Sequence, residues 1–320
     1  MGKEKANKAI VTGGAGFIGG HIVDLCVSKG WKVFSLDNYR TAGIDSAYRN
    51  KSAHYIKCDI RNFKLLKKYF LKIKPKYVFH TAALARIQPS IKDPDTYLAV
   101  NSGGTLNVLK AAKFAGAKRV IYSASSSAYG LNPIPSKESM LPDPLNPYAK
   151  TKLGGEHWMK VFAEIYGLET VSLRYFNVYG PRNTFAGPYT TVITRFLHLL
   201  QHKMPMTIVG DGKQTRDYTH VEDVVRANLL AALSKKVGNG EVLNIGCGER
   251  YSVNQIAEFI GGKPLGTLLK SGIAEFIPPR PGEARHTCAD ISRAKKLLGW
   301  SPKVKFQPAI SDLKKIYGLV

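Results

Sequence analysis

The sequence predicts an α/β fold, a doubly wound parallel sheet with a smaller, interleaved α/β region. Three observations carry this. Short apolar runs alternate with helical patterns through the first half, a glycine-rich turn separates the first run from the first helix, and beyond Asn177 the alternation gives way to shorter segments richer in Gly and Pro. Such alternation implies parallel strands, because a parallel connection must cross back over the sheet and usually does so as a helix.

Taken in order, Ala9–Val11 reads as a strand, Ile18–Val27 as a helix, Trp31–Leu36 and Tyr55–Cys58 as strands and Phe63–Leu71 as a helix. Tyr77–Phe79 is the next strand, Tyr97–Phe114 a helical stretch, Arg119–Tyr122 a strand, the segment after Pro147 a helix and Thr170–Leu173 a strand. Successive units of this kind place helices on both sheet faces. Further on, Thr191–Leu200, Glu222–Leu233 and Ser252–Ile260 are helical, and Glu241–Asn244 reads as a late strand returning to the main sheet. No internal repeat or low-complexity segment is present.

Composition narrows the class. With 320 residues, 44% hydrophobic and 22% charged, the chain resembles globular proteins rather than disordered or fibrous ones. Every long apolar stretch is broken by a charge before bilayer length, and no signal peptide is read at the N-terminus, so a cytoplasmic protein without a membrane partner is expected. Cys26, Cys58, Cys247 and Cys288 form no CxxC pair, which suggests neither a disulfide framework nor a zinc knuckle. The net charge of +24 favours anionic partners. Much of it lies on stretches such as Lys64, Lys67, Lys68 and Lys72, interleaved with Leu65, Leu66, Tyr69 and Phe70, which is the wet face of an amphipathic helix. Without a nucleic-acid module beside it, nucleic acid is not an expected partner.

Gly13-Gly14-Ala15-Gly16-Phe17-Ile18-Gly19 follows the first strand and opens the first helix. The first glycine permits a tight turn, the second lets backbone approach a pyrophosphate, and the third lets helix and strand pack closely. Asp37 ends the second strand, where a carboxylate accepts hydrogen bonds from a ribose and repels a 2′-phosphate, so NAD is preferred over NADP. Arg40 nearby is the one residue that argues the other way. A Rossmann-type doubly wound parallel sheet follows from the turn and its flanks.

Tyr148 and Lys152 stand four apart on a predicted helix and project from one face. A tyrosine acting as a base near neutral pH needs its pKa lowered, which an ammonium beside it does. Ser125-Ser126-Ser127 follows the strand Arg119–Tyr122, at the carboxyl end where parallel sheets hold ligands.

With these residues in place the chain resembles the extended short-chain dehydrogenase/reductases, and within them the nucleotide-sugar epimerases. The likeness rests on Gly13–Gly19, Asp37, Cys58-Asp59-Ile60, His80-Thr81-Ala82-Ala83, Asn101, Ser125–Gly130, Tyr148–Lys152, Arg174–Gly180, Gly210-Asp211-Gly212, Thr215–Tyr218 and Arg280–Glu283. It implies that Tyr148 is the catalytic base, that Lys152 lowers its pKa and holds the nicotinamide ribose, and that Ser125 bonds the reacting hydroxyl. It implies cofactor contacts from Gly13, Gly16, Phe17, Ile18, Gly19, Asp37, Asn38, Asp59, Ile60, Ala82, Ala83, Asn101, Tyr148, Lys152 and Phe176. Substrate contacts are implied for Arg86, Ser125, Ser127, Tyr148, Asn177, Tyr189, Val192, Arg216, Arg280 and Thr287. The resemblance also implies a dinucleotide-binding domain of residues 1–176 and 217–246 and a nucleotide-sugar domain of 177–216 and 247–320. A homodimer through Tyr97–Phe114 and Pro147–Tyr166 is expected.

Dehydratases of this family carry Asp-Glu after the active serine or threonine, and Ser126-Ser127 stand there instead. The expected reaction is therefore inversion at C4 of a UDP-hexose through a transient ketone. Thr287 aligns with a position that gates pocket volume, and its modest size admits N-acetylated sugars. Arg86 sits in a loop that faces the sugar in the epimerases the chain resembles; an arginine there could instead pair with a carboxylate, which points to a UDP-glucuronate 4-epimerase or decarboxylase. A non-catalytic NAD-sensing module is the remote alternative. His198 and His202 lack a third ligand, so no metal is expected.

Overall fold

The computed structural model describes residues 6–40, 49–183 and 190–319. Seven parallel strands form the central sheet: β1 (Lys8–Thr12), β2 (Lys32–Asp37), β3 (His54–Lys57), β4 (Tyr77–His80), β5 (Arg119–Ser125), β6 (Glu169–Tyr175) and a seventh, Asn239–Ile245. Their spatial order is seventh-β6-β5-β4-β1-β2-β3, so the order reverses at β1. That reversal opens a crevice at the carboxyl ends of β1 and β4. All residues of β4 and β5 are buried, as strands covered on both faces must be.

Two apolar clusters sandwich the sheet. One gathers Ile22, Val23, Phe79, Leu173, Val224 and Trp300, and the other Ile10, Leu66, Phe70, Val108, Tyr122 and Phe162. A third cluster, with Phe196, Ile208, Ile256 and Phe306, lies in the later part of the chain. It is organised around the parallel pair Met206–Val209 and Ala274–Ile277, an arrangement that sequence patterning does not bring out. Asp217 ties this part to the sheet: its buried carboxylate accepts the amides of Cys247, Gly248 and Ala289 at 2.7–3.0 Å.

Three differences from expectation bear on the site. The strand expected over Arg119–Tyr122 runs on to Ser125, because Ala124 and Ser125 stay in register with Arg174 and Tyr175 of β6. Ser125 is thus the last residue of a buried strand rather than part of a loop. The stretch expected as one helix from Tyr97 begins at Pro94, passes through a π-helical segment Leu98–Gly103 and becomes α-helical at Gly104–Phe114. Such segments interrupt helices where a side chain must be redirected, and here Asn101 turns inward. The long helix Pro147–Tyr166 starts on an Asn146 cap, with Pro147 in the first turn, and ends on Gly167 in the left-handed region. None of the described helices is long and apolar enough to cross a membrane.

Candidate active site

A cavity of about 1030 Å³ occupies the crevice between the carboxyl ends of the sheet strands and the later part of the chain. Of the expected cofactor residues, Gly13, Gly16, Phe17, Ile18, Gly19, Asp37, Asn38, Asp59, Ile60, Ala82, Ala83, Tyr148 and Phe176 line it.

The glycines differ in what they permit. Gly13 has φ of +72°, and a Cβ there would lie 2.7 Å from the Ala82 nitrogen. A Cβ on Gly19 would fall 2.2 Å from the Gly13 carbonyl oxygen, so this glycine lets helix and turn meet. Gly16 is less constrained: its amide donates to the Gly13 carbonyl at 3.1 Å, a Cβ there would meet only that same oxygen at 3.3 Å, and the residue lines the cavity. Gly16 also caps the helix Phe17–Ser28, whose free amides attract an anion. Asp37 braces the turn by accepting the amides of Ala15 at 3.1 Å and Tyr39 at 2.7 Å. Burial raises its pKa, while those amides and Arg49 pull it back. Asp59 accepts from Asn38 at 2.9 Å and from both Nε and a terminal nitrogen of Arg61, which holds it at about 2 and therefore charged. A turn, a helix N-terminus and a carboxylate at the end of the second strand fit the diphosphate and adenosine ribose of NAD.

Two residues sit elsewhere than expected. Asn101 does not line the cavity. Its amide is spent on Leu84, whose N–H it accepts at 2.8 Å and whose carbonyl it bonds at 3.0 Å, and on Thr151 at 3.1 Å. It therefore shapes the wall Ala82–Arg86 from behind. Lys152 also lies behind the lining, 4% exposed, with its ammonium 4.2 Å from the ring centre of Tyr122. Burial lowers its pKa to about 7, against the pull of Glu156 one turn on.

Tyr148 and Ser125 share the cavity wall. Burial raises the pKa of the Tyr148 phenol, and the Ser125 hydroxyl and the Arg86 guanidinium act to lower it. Ser125 Oγ lies 2.8 Å from Ser127 Oγ and accepts the Ser127 amide at 3.2 Å, which fixes the rotamer of Ser125 toward the crevice. Beneath the long helix, Glu156 forms a buried pair with Arg174 of β6, at 2.7 Å to a terminal nitrogen and 3.0 and 3.2 Å to Nε.

At the far end, Arg86, Asn177, Val192, Arg216, Arg280 and Thr287 all line the cavity; Tyr189 lies outside the described residues. Thr287 Oγ1 accepts weakly from Asn177 and from the Asp217 amide, both at 3.4 Å. Arg216 bonds Glu283 at 3.3 Å and two carbonyls at 3.0 Å. Sequence reading missed Arg195, whose Nε bonds Thr207 at 2.9 Å and whose charge feels Arg280. Its position on the cavity side of the helix Val192–Gln201 could have been read from the phase of Ile193, Phe196 and Leu197, which are buried on the other side. Among the described residues, Arg40, Arg86, Arg182, Arg195, Arg216 and Arg280 line the cavity with only Asp37, Asp59 and Glu283 as acids, which suits a polyanionic occupant. The rings of His198 and His202 lie 4.0 Å apart, tilted by 37°, and the described residues hold no cluster of three or more metal-ligating groups.

Known proteins resemble this chain along most of its length. The NAD dependent epimerase/dehydratase family matches residues 9–246. The chain is 34% identical over 311 residues to a UDP-glucuronate 4-epimerase of Thermodesulfobacterium geofontis, spanning 94% of this chain and 93% of that one. A UDP-glucose 4-epimerase structure from Thermotoga maritima with UDP-glucose superposes with a TM-score of 0.88 at 35% identity, covering 98% of each chain. A UDP-N-acetylglucosamine 4-epimerase structure from Methanobrevibacter ruminantium, in complex with UDP-N-acetylmuramic acid, gives 0.86 at 35% identity, covering 99% of this chain and 98% of that one.

Proposed function

The chain belongs to the NAD-dependent epimerase/dehydratase family, and from that premise we propose that it is a UDP-hexose 4-epimerase, acting on UDP-glucose and UDP-galactose and on their N-acetylated forms. The observation that carries this reading is the meeting of Tyr148 and Ser125 in one arginine-rich cavity with the glycine turn. Ser126-Ser127, in place of an acidic pair, leave no second acid and base for elimination.

NAD, held by the glycine turn and Asp37, would supply a reversible hydride acceptor for C4 of the sugar, which allows a ketone on the way to the epimer with no net redox change. Tyr148 removes the proton of the 4-hydroxyl and later restores it. Ser125, braced by Ser127, holds the 4-oxygen, and the Lys152 ammonium one helical turn away favours the Tyr148 phenolate. Arg216 and Arg280 clamp the diphosphate, since a guanidinium matches phosphate oxygens. Held there, the sugar can turn its other face to the cofactor. Thr287, modest in volume, leaves room for an acetamido group.

A second reading, a UDP-glucuronate 4-epimerase or a decarboxylase, is favoured by one observation: the Arg86 guanidinium lines the cavity close enough to act on Tyr148. A carboxylate at C6 of the sugar would be drawn to that charge. Incubating the purified protein with UDP-glucose, UDP-N-acetylglucosamine and UDP-glucuronate separates the readings by product NMR. The first reading predicts C4 epimers from the first two; epimer from UDP-glucuronate alone would transfer the assignment, and release of carbon dioxide would mark a decarboxylase. If Tyr148→Phe left every activity unchanged, a non-catalytic NAD-binding role would replace both.

A further inference from the structure

We propose that Tyr122 is a positioning residue for the reaction: its ring is the seat that holds the Lys152 ammonium in place for Tyr148. The inference rests on the reading of Lys152 as the partner of Tyr148 given above.

Lys152 is 4% exposed, and a buried ammonium needs a local source of negative potential. The face of Tyr122 provides one, with Nζ 4.2 Å from the ring centre, well inside the range of a cation–π contact. The same tyrosine addresses the other end of the residue, because its hydroxyl donates to the Lys152 carbonyl at 3.3 Å. One fully buried side chain on β5 thus grips both the backbone and the charge of Lys152. Room for it is made by the helix: a Cβ on Gly155 would lie 2.3 Å from Tyr122 Oη.

The other charged and titratable groups around Lys152 leave this task to the ring. Glu156, on the next turn of the same helix, draws the ammonium but is committed to Arg174 of β6 through three contacts. Arg174 in turn lies 4.6 Å over Tyr129. His80 of β4 is 5.4 Å from the Tyr122 ring, its two nitrogens engaged by Thr12 and Thr105. Burial and the Lys152 charge push its pKa down to about 3, so it adds no second cation. Arg86 faces Tyr148.

If the ring is withdrawn, Lys152 is less well held and less often charged, the Tyr148 phenol becomes harder to ionise, and the acid limb of the rate profile moves to higher pH. The test uses the full-length, NAD-loaded protein and the pH dependence of kcat. Tyr122→Leu should move the acid limb upward by between about 0.5 and 1.5 pH units, the upper figure being the size of a desolvated cation–π contact on Lys152, of which part reaches Tyr148. Tyr122→Phe keeps the ring and should leave the limb in place. Replacing Tyr122 with pentafluorophenylalanine, which keeps the shape and drains the ring face of negative potential, should move it as leucine does, and serves if the leucine variant fails to fold. A ring-dependent shift supports the proposal; equal profiles for the Phe and pentafluorophenylalanine variants overturn it. Lys152→Met separates this from the underlying reading. If it is as active as the native protein, the role given to Lys152 is wrong; if it is impaired while the fluorinated variant follows the Phe variant, only the seat is wrong.

Discussion

Glu156→Gln tests how the long helix is fastened to the sheet. Both members of the pair are buried, Arg174 at 4% and Glu156 at 3% side-chain exposure, and the carboxylate takes two contacts from Nε and one from a terminal nitrogen. Neutralising Glu156 strands a guanidinium between the helix and β6. Breaking a buried pair on one side costs about 3–5 kcal/mol, a large part of the ~5–15 kcal/mol that holds a typical protein folded. At roughly 2–4 °C per kcal/mol for chains of about this size or somewhat smaller, the melting temperature should fall by on the order of 6–20 °C. The assay is thermal unfolding followed by circular dichroism with NAD in excess, so that loss of cofactor does not mimic loss of the pair. Glu156→Leu combined with Arg174→Met should recover most of the loss, since a buried pair exchanged for apolar groups is near neutral. A single variant that melts within about 2 °C of the native protein, equivalent to less than roughly 1 kcal/mol, would refute the reasoning.

Gly19→Ala should abolish retention of NAD, because its Cβ would sit 2.2 Å from the Gly13 oxygen, whereas at Gly20 the nearest atom is 3.7 Å away and alanine should be tolerated; mass spectrometry of nucleotide released on denaturation distinguishes them. His80 makes stability acid-sensitive. Its folded pKa of about 3 lies below the model-compound value of 6.5, so the unfolded chain binds the extra proton and stability present above 6.5 is lost as pH falls toward 3. The slope from this group is at most about 1.4 kcal/mol per pH unit, and denaturant titrations at pH 7 and 5 should differ accordingly, less so in His80→Gln. Leu98, Val161 and Ile165 are 57%, 36% and 72% exposed on the π-helical segment and the long helix, an apolar surface that a second copy of the chain would cover. Light scattering should give twice the monomer mass, and Ile165→Glu should halve it; a native monomer would remove the expectation of a homodimer.

The parts of the site that were legible in the sequence are those whose chemistry is local. The glycine turn and Asp37 act through backbone φ, Cβ clearance and short-range amide bonds, so seven residues and the end of one strand suffice to read them. Tyr148 and Lys152 are legible as a pair through helical spacing, but spacing does not tell which of two neighbours faces a cavity and which sits behind it. Asn101 resisted reading because its direction is set by a π-helical segment that leaves no compositional mark. Apolar pattern ends the strand at Tyr122, because Ser123-Ala124-Ser125 is a poor strand sequence; pairing with β6 overrides propensity there. The pair Met206–Val209 with Ala274–Ile277 depends on contacts between distant segments, which periodicity does not encode.

The central claim is that hydride leaves and returns to the same C4 carbon while Tyr148 handles only the oxygen-bound proton. Incubation of the NAD-loaded protein with UDP-glucose in deuterium oxide, followed by proton NMR of the product, tests it directly. The account predicts UDP-galactose with protium retained at C4 and no nicotinamide cofactor consumed. Deuterium at C4, or a requirement for stoichiometric added NAD, would contradict it.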